Sequence, residues 1–332
     1  TSNSGISVGG VVSSGDVVVG ANRSITLVGG ATSTRPVSPV EGMIYFDTNT
    51  KQLLIYANGK WQADRSESVL VAASNSSQAD KDAADYVANG NTGTAADGDQ
   101  IQINAALTAG AGKKVVLLAG TYVADDTILV PNDTTLSGVG TGTVIEMADL
   151  DANENLIENS DTTTGTGVRI QDLKLDGRND LNTAGGQYGI AFLGMGGGTG
   201  SNARQGGVIR GIVANNFRNY GIYLITSSNN IITSNRAQNN FVGGYGLDTS
   251  ANYNVISNNI AQGSSYGIVV GTTGNTITGN VIQGHSNTGI YLAIGINNTI
   301  TGNTISGNAV TGIALASVST GNTISGNKIA DN

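Results

Sequence analysis

Acids and aromatic rings are the side chains of this 332-residue chain with chemistry to offer, and their spacing sets what that chemistry would be. The aspartates in question are Asp172, Asp176, Asp180 and Asp248. Glycoside hydrolysis needs two carboxylates about 5–9.5 Å apart, yet only Asp248 and Asp331 are acidic after residue 180. Asp176 precedes Gly177 and reads as a turn residue; Asp172 follows a strand-like run and reads as solvated. Asp176 and Asp248 are weak catalytic candidates, because the sequence does not show whether their faces coincide. Asp248 suits ligand contact better. In a recurring Gly-Ile-x-Leu phrase it takes the x position, with Ala191, Tyr223, Val269, Tyr291 and Ala314. Period-two alternation turns that position outward. A row of Tyr223, Asp248 and Tyr291 would stack on and hydrogen-bond sugar rings, which makes these three the glycan-binding candidates. Tyr188, Tyr220, Tyr245 and Tyr266 form a more regular column that reads as corner stacking. Glu146, Glu154 and Glu158 lie in an irregular stretch with no pairing signal, and the run Gly194–Gly200 reads as a protruding loop. His285 is the sole histidine, sits in a turn and has no acidic neighbour in sequence. With no cysteine there is no thiolate metal site and no disulfide; neither a metal nor a cofactor is expected.

The elements that must hold these residues are written as a repeat. The phrase of Gly189-Ile190 recurs at Gly221, Gly246, Gly267, Gly289 and Gly312. A second phrase, Asn254-Val255-Ile256-Ser257, returns as Asn275-Thr276-Ile277-Thr278, Asn298-Thr299-Ile300-Thr301 and Asn322-Thr323-Ile324-Ser325. Self-similarity at a fixed period means a solenoid. Each unit carries three short apolar runs that alternate with period two, which is strand patterning. Three strands per turn find partners only in the turns above and below, so the expected fold is a parallel β-helix with coils about 4.8 Å apart. Ile232, Ile256, Ile277, Ile300 and Ile324 should stack inside. Asn230, Asn254, Asn275, Asn298 and Asn322 should form one ladder, and Asn235, Asn259, Asn280, Asn303 and Asn327 another, at bends where asparagine tolerates left-handed backbone.

The phrase Asn-Thr-Ile-Thr-Gly-Asn resembles the right-handed parallel β-helix repeat of the pectate-lyase-like superfamily. Asp97–Gln102 leading into a short helix that ends near Ala109, then Val115–Tyr122, Thr127–Val130 and Thr143–Ile145, resemble its N-terminal cap and first coils. Ile170–Gly177 is similar to a further coil. The resemblance implies the fold over residues 80–332 and leaves the chemistry open, since that superfamily holds lyases, hydrolases, epimerases and inert shafts. Its pectate lyases use a carboxylate-rich calcium site with a basic residue, and the central coils here carry no such cluster.

Residues 1–63 follow a different plan. Strands are expected at Asp16–Val19 and Ser24–Val28. A three-strand meander follows, with a hairpin at Asn58-Gly59 and the only tryptophan, Trp61. Its Pro-x-x-Gly-x-x-Tyr-x-Asp and Gly-x-Trp pattern looks like a small module of bacteriophage tail-fibre and related surface proteins. Residues 64–96, rich in Ser, Asn, Asp and Ala, read as a linker, with the cap and first coils at 97–160 and regular coils at 161–332. The net charge of −8 excludes a nucleic-acid partner, and no apolar run is long enough to span a membrane. The chain starts at Thr1 and stops within a coil, as a piece of something longer would. The expectation is an extracellular, non-catalytic fibre or spike on a virion tail or cell surface, a homotrimer that attaches to host polysaccharide. The alternatives are a polysaccharide-degrading tailspike and a subunit of an extracellular filament.

Overall fold

A computed structural model describes residues 30–49, 52–57, 59–63, 68–90, 98–148, 154–197 and 205–332. The chain divides into two compact units, Thr1–Asp64 and Arg65–Asn332. In the first, β1 (Ile44–Asp47), β2 (Gln52–Ala57) and β3 (Lys60–Ala63) form an antiparallel meander in sequence order. Gly59 has a φ of 77°, the left-handed backbone that a tight hairpin requires. Trp61 packs edge-on to Tyr56 at 5.4 Å and tilted to Tyr45 at 5.6 Å. Asp47 is buried, and the guanidinium of Arg35 (2.7 Å) and hydroxyl of Thr32 (2.8 Å) donate to its carboxylate. The strands expected at 16–19 and 24–28 lie outside the described residues, as does Asn58.

The second unit opens with β4 (Ser68–Ala72), α1 (Gln78–Ala83), β5 (Tyr86–Val87) and α2 (Gln100–Ala109). The linker expected at 64–96 thus contains solenoid strands. β4 runs parallel to Lys114–Leu117 on one side and to β5 on the other. The apolar run Val69-Leu70-Val71 is the local signal for it, set among polar residues. Ser77 caps α1, its hydroxyl accepting from the Asp80 amide. α2 buries Ile103, Ala106 and Leu107 in the solenoid core.

Beyond this point the chain winds as a right-handed parallel β-helix. Three sheets of eleven, nine and eight parallel strands are built from strands three apart in order, except where β4 and β5 close one edge of the largest. The isoleucine stack is present: Ile232 pairs with Ile256, Ile256 with Ile277, Ile277 with Ile300 and Ile300 with Ile324. The first four are fully buried, each contributing roughly 1.5–3 kcal/mol against the cost of ordering the chain.

Both asparagine ladders form. Asn259 Oδ1 accepts from the Asn235 amide N–H (2.9 Å) and from Asn235 Nδ2 (3.0 Å), and the relation repeats at Asn280, Asn303 and Asn327. The other ladder runs through Asn230, Asn254, Asn275, Asn298 and Asn322 in the same way. The bend itself differs from expectation. The left-handed residue precedes the ladder asparagine: Asn258 (φ 55°) before Asn259, Gly279 (φ 66°) before Asn280, Asn297 (φ 53°) before Asn298. One residue turns the chain, and the next sends its amide inward. A third ladder was not expected. Asn240, Ser264, His285, Asn308 and Asn332 stack at the corner between the nine- and eight-stranded sheets, each accepting the backbone N–H of the residue one coil earlier. Serine and histidine interrupt the asparagine pattern there, which hides the ladder in the sequence.

Candidate functional site

The eight-stranded sheet carries the expected Tyr and Asp residues, in a register that corrects the sequence alignment. Tyr245 pairs with Ile222 and Ile268, so it belongs to the inner column. It is buried, with Oη donating to the Ile260 carbonyl at 3.2 Å, and does not join Tyr188 and Tyr220, which stack at 6.4 Å. The alanines Ala237 and Ala261, paired in the inner column of the nine-stranded sheet, leave volume for its ring. The x column accordingly reads Ala191, Tyr223, Gly246, Val269, Tyr291 and Ala314. Asp248 lies two residues further on, opposite Ile225.

That shift brings Asp248 and Tyr223 together. Glycines occupy positions 243 and 246, the two outward places of this coil opposite Tyr220 and Tyr223. A Cβ at Gly243 would collide with the Tyr220 ring, and one at Gly246 would fall 2.7 Å from Tyr223. Because no Cβ is there, both rings lie against the sheet. Tyr188, Tyr220 and Tyr223 form one stacked group, with centroids 4.5 Å apart for Tyr188–Tyr223 and 5.3 Å for Tyr220–Tyr223. From this position Tyr223 Oη donates to Asp248 Oδ2 at 2.7 Å. Burial, then the bond to Asp248 and its charge, push the Tyr223 hydroxyl well above the usual tyrosine range, so it stays a donor. The result is an outward notch of about 210 Å³, lined by Tyr220, Tyr223, Gly246, Asp248, Val269 and Ala293. Tyr291 stacks on Tyr266 at 5.8 Å, and Asn287 Nδ2 donates to Tyr266 Oη at 2.9 Å. Tyr291 stands three strand spacings from Tyr223, about 14 Å. Tyr223 and Asp248 therefore form one site, and Tyr291 lies beyond it.

Asp176 and Asp248 do not converge; Asp176 instead pairs in register with Glu146 one coil earlier in the nine-stranded sheet, where Arg178 and Lys174 engage the two carboxylates. Asp176 is buried at the end of a strand in the nine-stranded sheet, where it accepts from the Arg178 amide (3.1 Å) and Asn216 Nδ2 (3.0 Å) and faces Lys174 at 3.5 Å. Asp172 takes a left-handed turn (φ 58°). Asp180 and Glu146 both pair with Arg178, at 3.0 and 3.1 Å; the Arg178 hydrogen bond holds the Asp180 carboxyl below its usual range. Glu158, left unassigned by the sequence, shares the outward column of Ala191 and Tyr223. Three strand spacings separate its row from that of Asp248, about 14 Å, which is too far for a glycosidase pair. Partial burial and nearby Asp126 raise the Glu154 carboxyl. His285 is buried in the third ladder, with Nδ1 accepting the Ser264 amide N–H (3.2 Å) and Nε2 facing the Ala261 carbonyl (3.2 Å). Burial pushes its pKa below the ordinary histidine value, so it is a neutral ladder member.

Several known proteins are similar to this chain. Tailspike protein 2 of an Escherichia coli O157:H7 bacteriophage superposes with a TM-score of 0.56 at 14% identity, over 89% of this chain and 42% of that one. The catalytic unit of an alpha-1,3-glucanase from Streptomyces thermodiastaticus gives 0.54 at 18% identity, over 81% and 48% of the two chains. A Geobacillus virus E2 protein gives 0.53 at 15%, over 93% and 72%. These identities establish the shared fold alone. No curated protein matches the chain. The family model described as periplasmic copper-binding protein, NosD, matches residues 119–332. Copper has no evident donor set here. The chain has no cysteine, its one histidine is buried and bonded in a ladder, and no group of three or more His, Cys, Asp or Glu side chains suited to a metal occurs among the described residues. The repeat, the three parallel sheets and the match over most of the chain agree: this chain belongs to the NosD family of right-handed β-helices.

Proposed function

We propose that this chain is a carbohydrate-attachment segment of an extracellular fibre or spike, on a virion tail or a cell surface, and that it acts as a homotrimer. The observation that carries the reading is the notch around Tyr223 and Asp248. Stacked rings on a rigid sheet offer an apolar platform for the C–H face of a sugar, while a carboxylate and a neutral hydroxyl beside them match its hydroxyl groups. Attachment fits better than hydrolysis, because Asp176 and Asp248 occupy different sheets, Glu158 is too far from Asp248, and the neighbouring Glu146 and Asp176 are engaged by Arg178 and Lys174. A fold in common with a phage tailspike and a glucanase supports the reading.

The test is a panel of immobilised surface polysaccharides probed with the wild-type chain, Tyr223→Ala and Asp248→Asn. Retention of one glycan, with a loss of at least about tenfold in each variant, is expected. Equal retention by all three proteins removes the notch from the reading. Cleavage of a panel glycan that depends on Asp248 would replace attachment with hydrolysis. Light scattering at dilution reads the assembly, with three copies expected.

A further inference from the structure

The larger concavity of the solenoid lies away from that notch, and nothing described so far uses it. It is a cleft of about 530 Å³ at the corner between the nine- and eight-stranded sheets, within the range of ligand sites, roughly 300–1,000 Å³. Its lining includes Asn179, Asn239, Phe241, Ser265, Tyr266 and Ser286, drawn from successive coils and from the turn after Asp176. The side chains of Asn179, Asn239, Ser265 and Ser286 have no hydrogen-bond partner among the described residues, and all four residues line this cleft. Phe241 is 62% exposed, an unusual place for a phenylalanine on so polar a corner. Such a combination, an exposed ring with amides and hydroxyls lining the same cleft, fits a sugar.

The charge at this corner narrows the class. The guanidinium of Arg218 sits 4.4 Å from the centre of the Phe241 ring. Arg218 forms no ion pair among the described residues, and its buried Nε has no partner. No acid lines the cleft. An uncompensated cation held over an aromatic ring, in a chain of net charge −8, focuses a local positive potential. At the Tyr223 notch the nearest charge is the opposite one, Asp248.

We infer that the corner cleft, lined by Phe241 and flanked by the Arg218 guanidinium that lies against that ring, is a second carbohydrate subsite, selective for an acidic sugar such as a uronate, while the Asp248 notch takes neutral rings. The inference rests on the carbohydrate-attachment reading and adds to it a location and a ligand charge. The carboxylate of the sugar meets the outer nitrogens of Arg218, and the ring stacks on Phe241.

Calorimetry with a galacturonic acid hexamer and its carboxyl-reduced, neutral counterpart tests it at low salt. The acidic hexamer should bind at least about tenfold more tightly than the neutral one, a difference of about 1.4 kcal/mol. Arg218→Gln should bring the two to equal affinity. Ser286→Tyr, which fills the exposed cleft without touching the core, should abolish acidic binding, and Tyr223→Ala should leave it intact. Equal affinity of the wild-type chain for both hexamers overturns the inference, as does failure of both to bind at millimolar concentration. Acidic binding that survives Ser286→Tyr but is lost in Tyr223→Ala also overturns it, and leaves the notch as the sole attachment site.

Discussion

The eleven- and eight-stranded sheets wind through the same coils, yet their outward columns differ in kind. On the eleven-stranded sheet the column, past Gln171 and Arg210, runs Thr233, Ser257, Thr278, Thr301 and Ser325, small hydroxyls of nearly one size. Neighbours complete one another's hydrogen bonds, Ser257 to Thr233 at 3.1 Å and Thr301 to Thr278 at 3.4 Å. On the eight-stranded sheet the column runs Ala191, Tyr223, Gly246, Val269, Tyr291 and Ala314, and its relief is uneven. Inside, both sheets keep one rule, a branched or aromatic side chain at every coil. The difference teaches that the core sets the coil and leaves the outer column free. A uniform column spends its polar groups on itself, whereas an uneven one leaves a ring and a carboxylate for something else.

The comparison breaks first at the core. Ile277→Ala should cost about 2–5 kcal/mol in urea unfolding, the value for a buried aliphatic side chain with no room to collapse; a smaller loss would mean that the stack is looser than its register implies. Asn280→Ala strands the Asn259 amide donors, which lose their 2.9 and 3.1 Å bonds to Oδ1, and should cost about 1–3 kcal/mol for each buried group left unpaired. The third ladder sharpens the contrast through pH. The folded-state pKa of His285 is depressed, so the unfolded chain binds the proton more readily. Stability is then full above the unfolded value of about 6.5 and falls as pH drops below it, by up to about 1.4 kcal/mol per pH unit. His285→Asn, the residue used at the next coil, should remove that slope in melts at pH 7 and 5. On the outer faces the effects shrink. Gly246→Ala should disturb the near-ultraviolet circular dichroism of the tyrosine group and weaken glycan retention, while Thr278→Ala should stay within about 0.5 kcal/mol of wild type. A Thr278→Ala cost as large as that of Asn280→Ala would erase the distinction between wall and face.

The inner columns and two of the ladders were readable because a period near two dozen residues repeats one residue type in one place. The errors have physical causes as specific as the successes. Tyr245-Gly246-Leu247 imitates Tyr220-Gly221-Ile222, but the structure pairs it two residues out of that alignment. A shift of two keeps every side chain on its own side of the sheet, so alternation alone does not detect it. The contact of Asp248 with Tyr223 follows from that shift, and not from the single outward row expected for Tyr223, Asp248 and Tyr291. β4 was missed because three apolar residues in polar surroundings carry little pattern. The corner cleft draws its walls from three coils and a turn, a convergence that exists only once the coils are stacked.

The asparagine ladders have a mechanical side as well. Each amide clasps the coil beyond it, and the three corners run side by side along the axis. Tension applied to the solenoid from end to end is therefore shared among three parallel cables of hydrogen bonds, in addition to the sheets. To pull one coil free, all three must part at once. A body built this way meets stretching with its corners as well as its sheets.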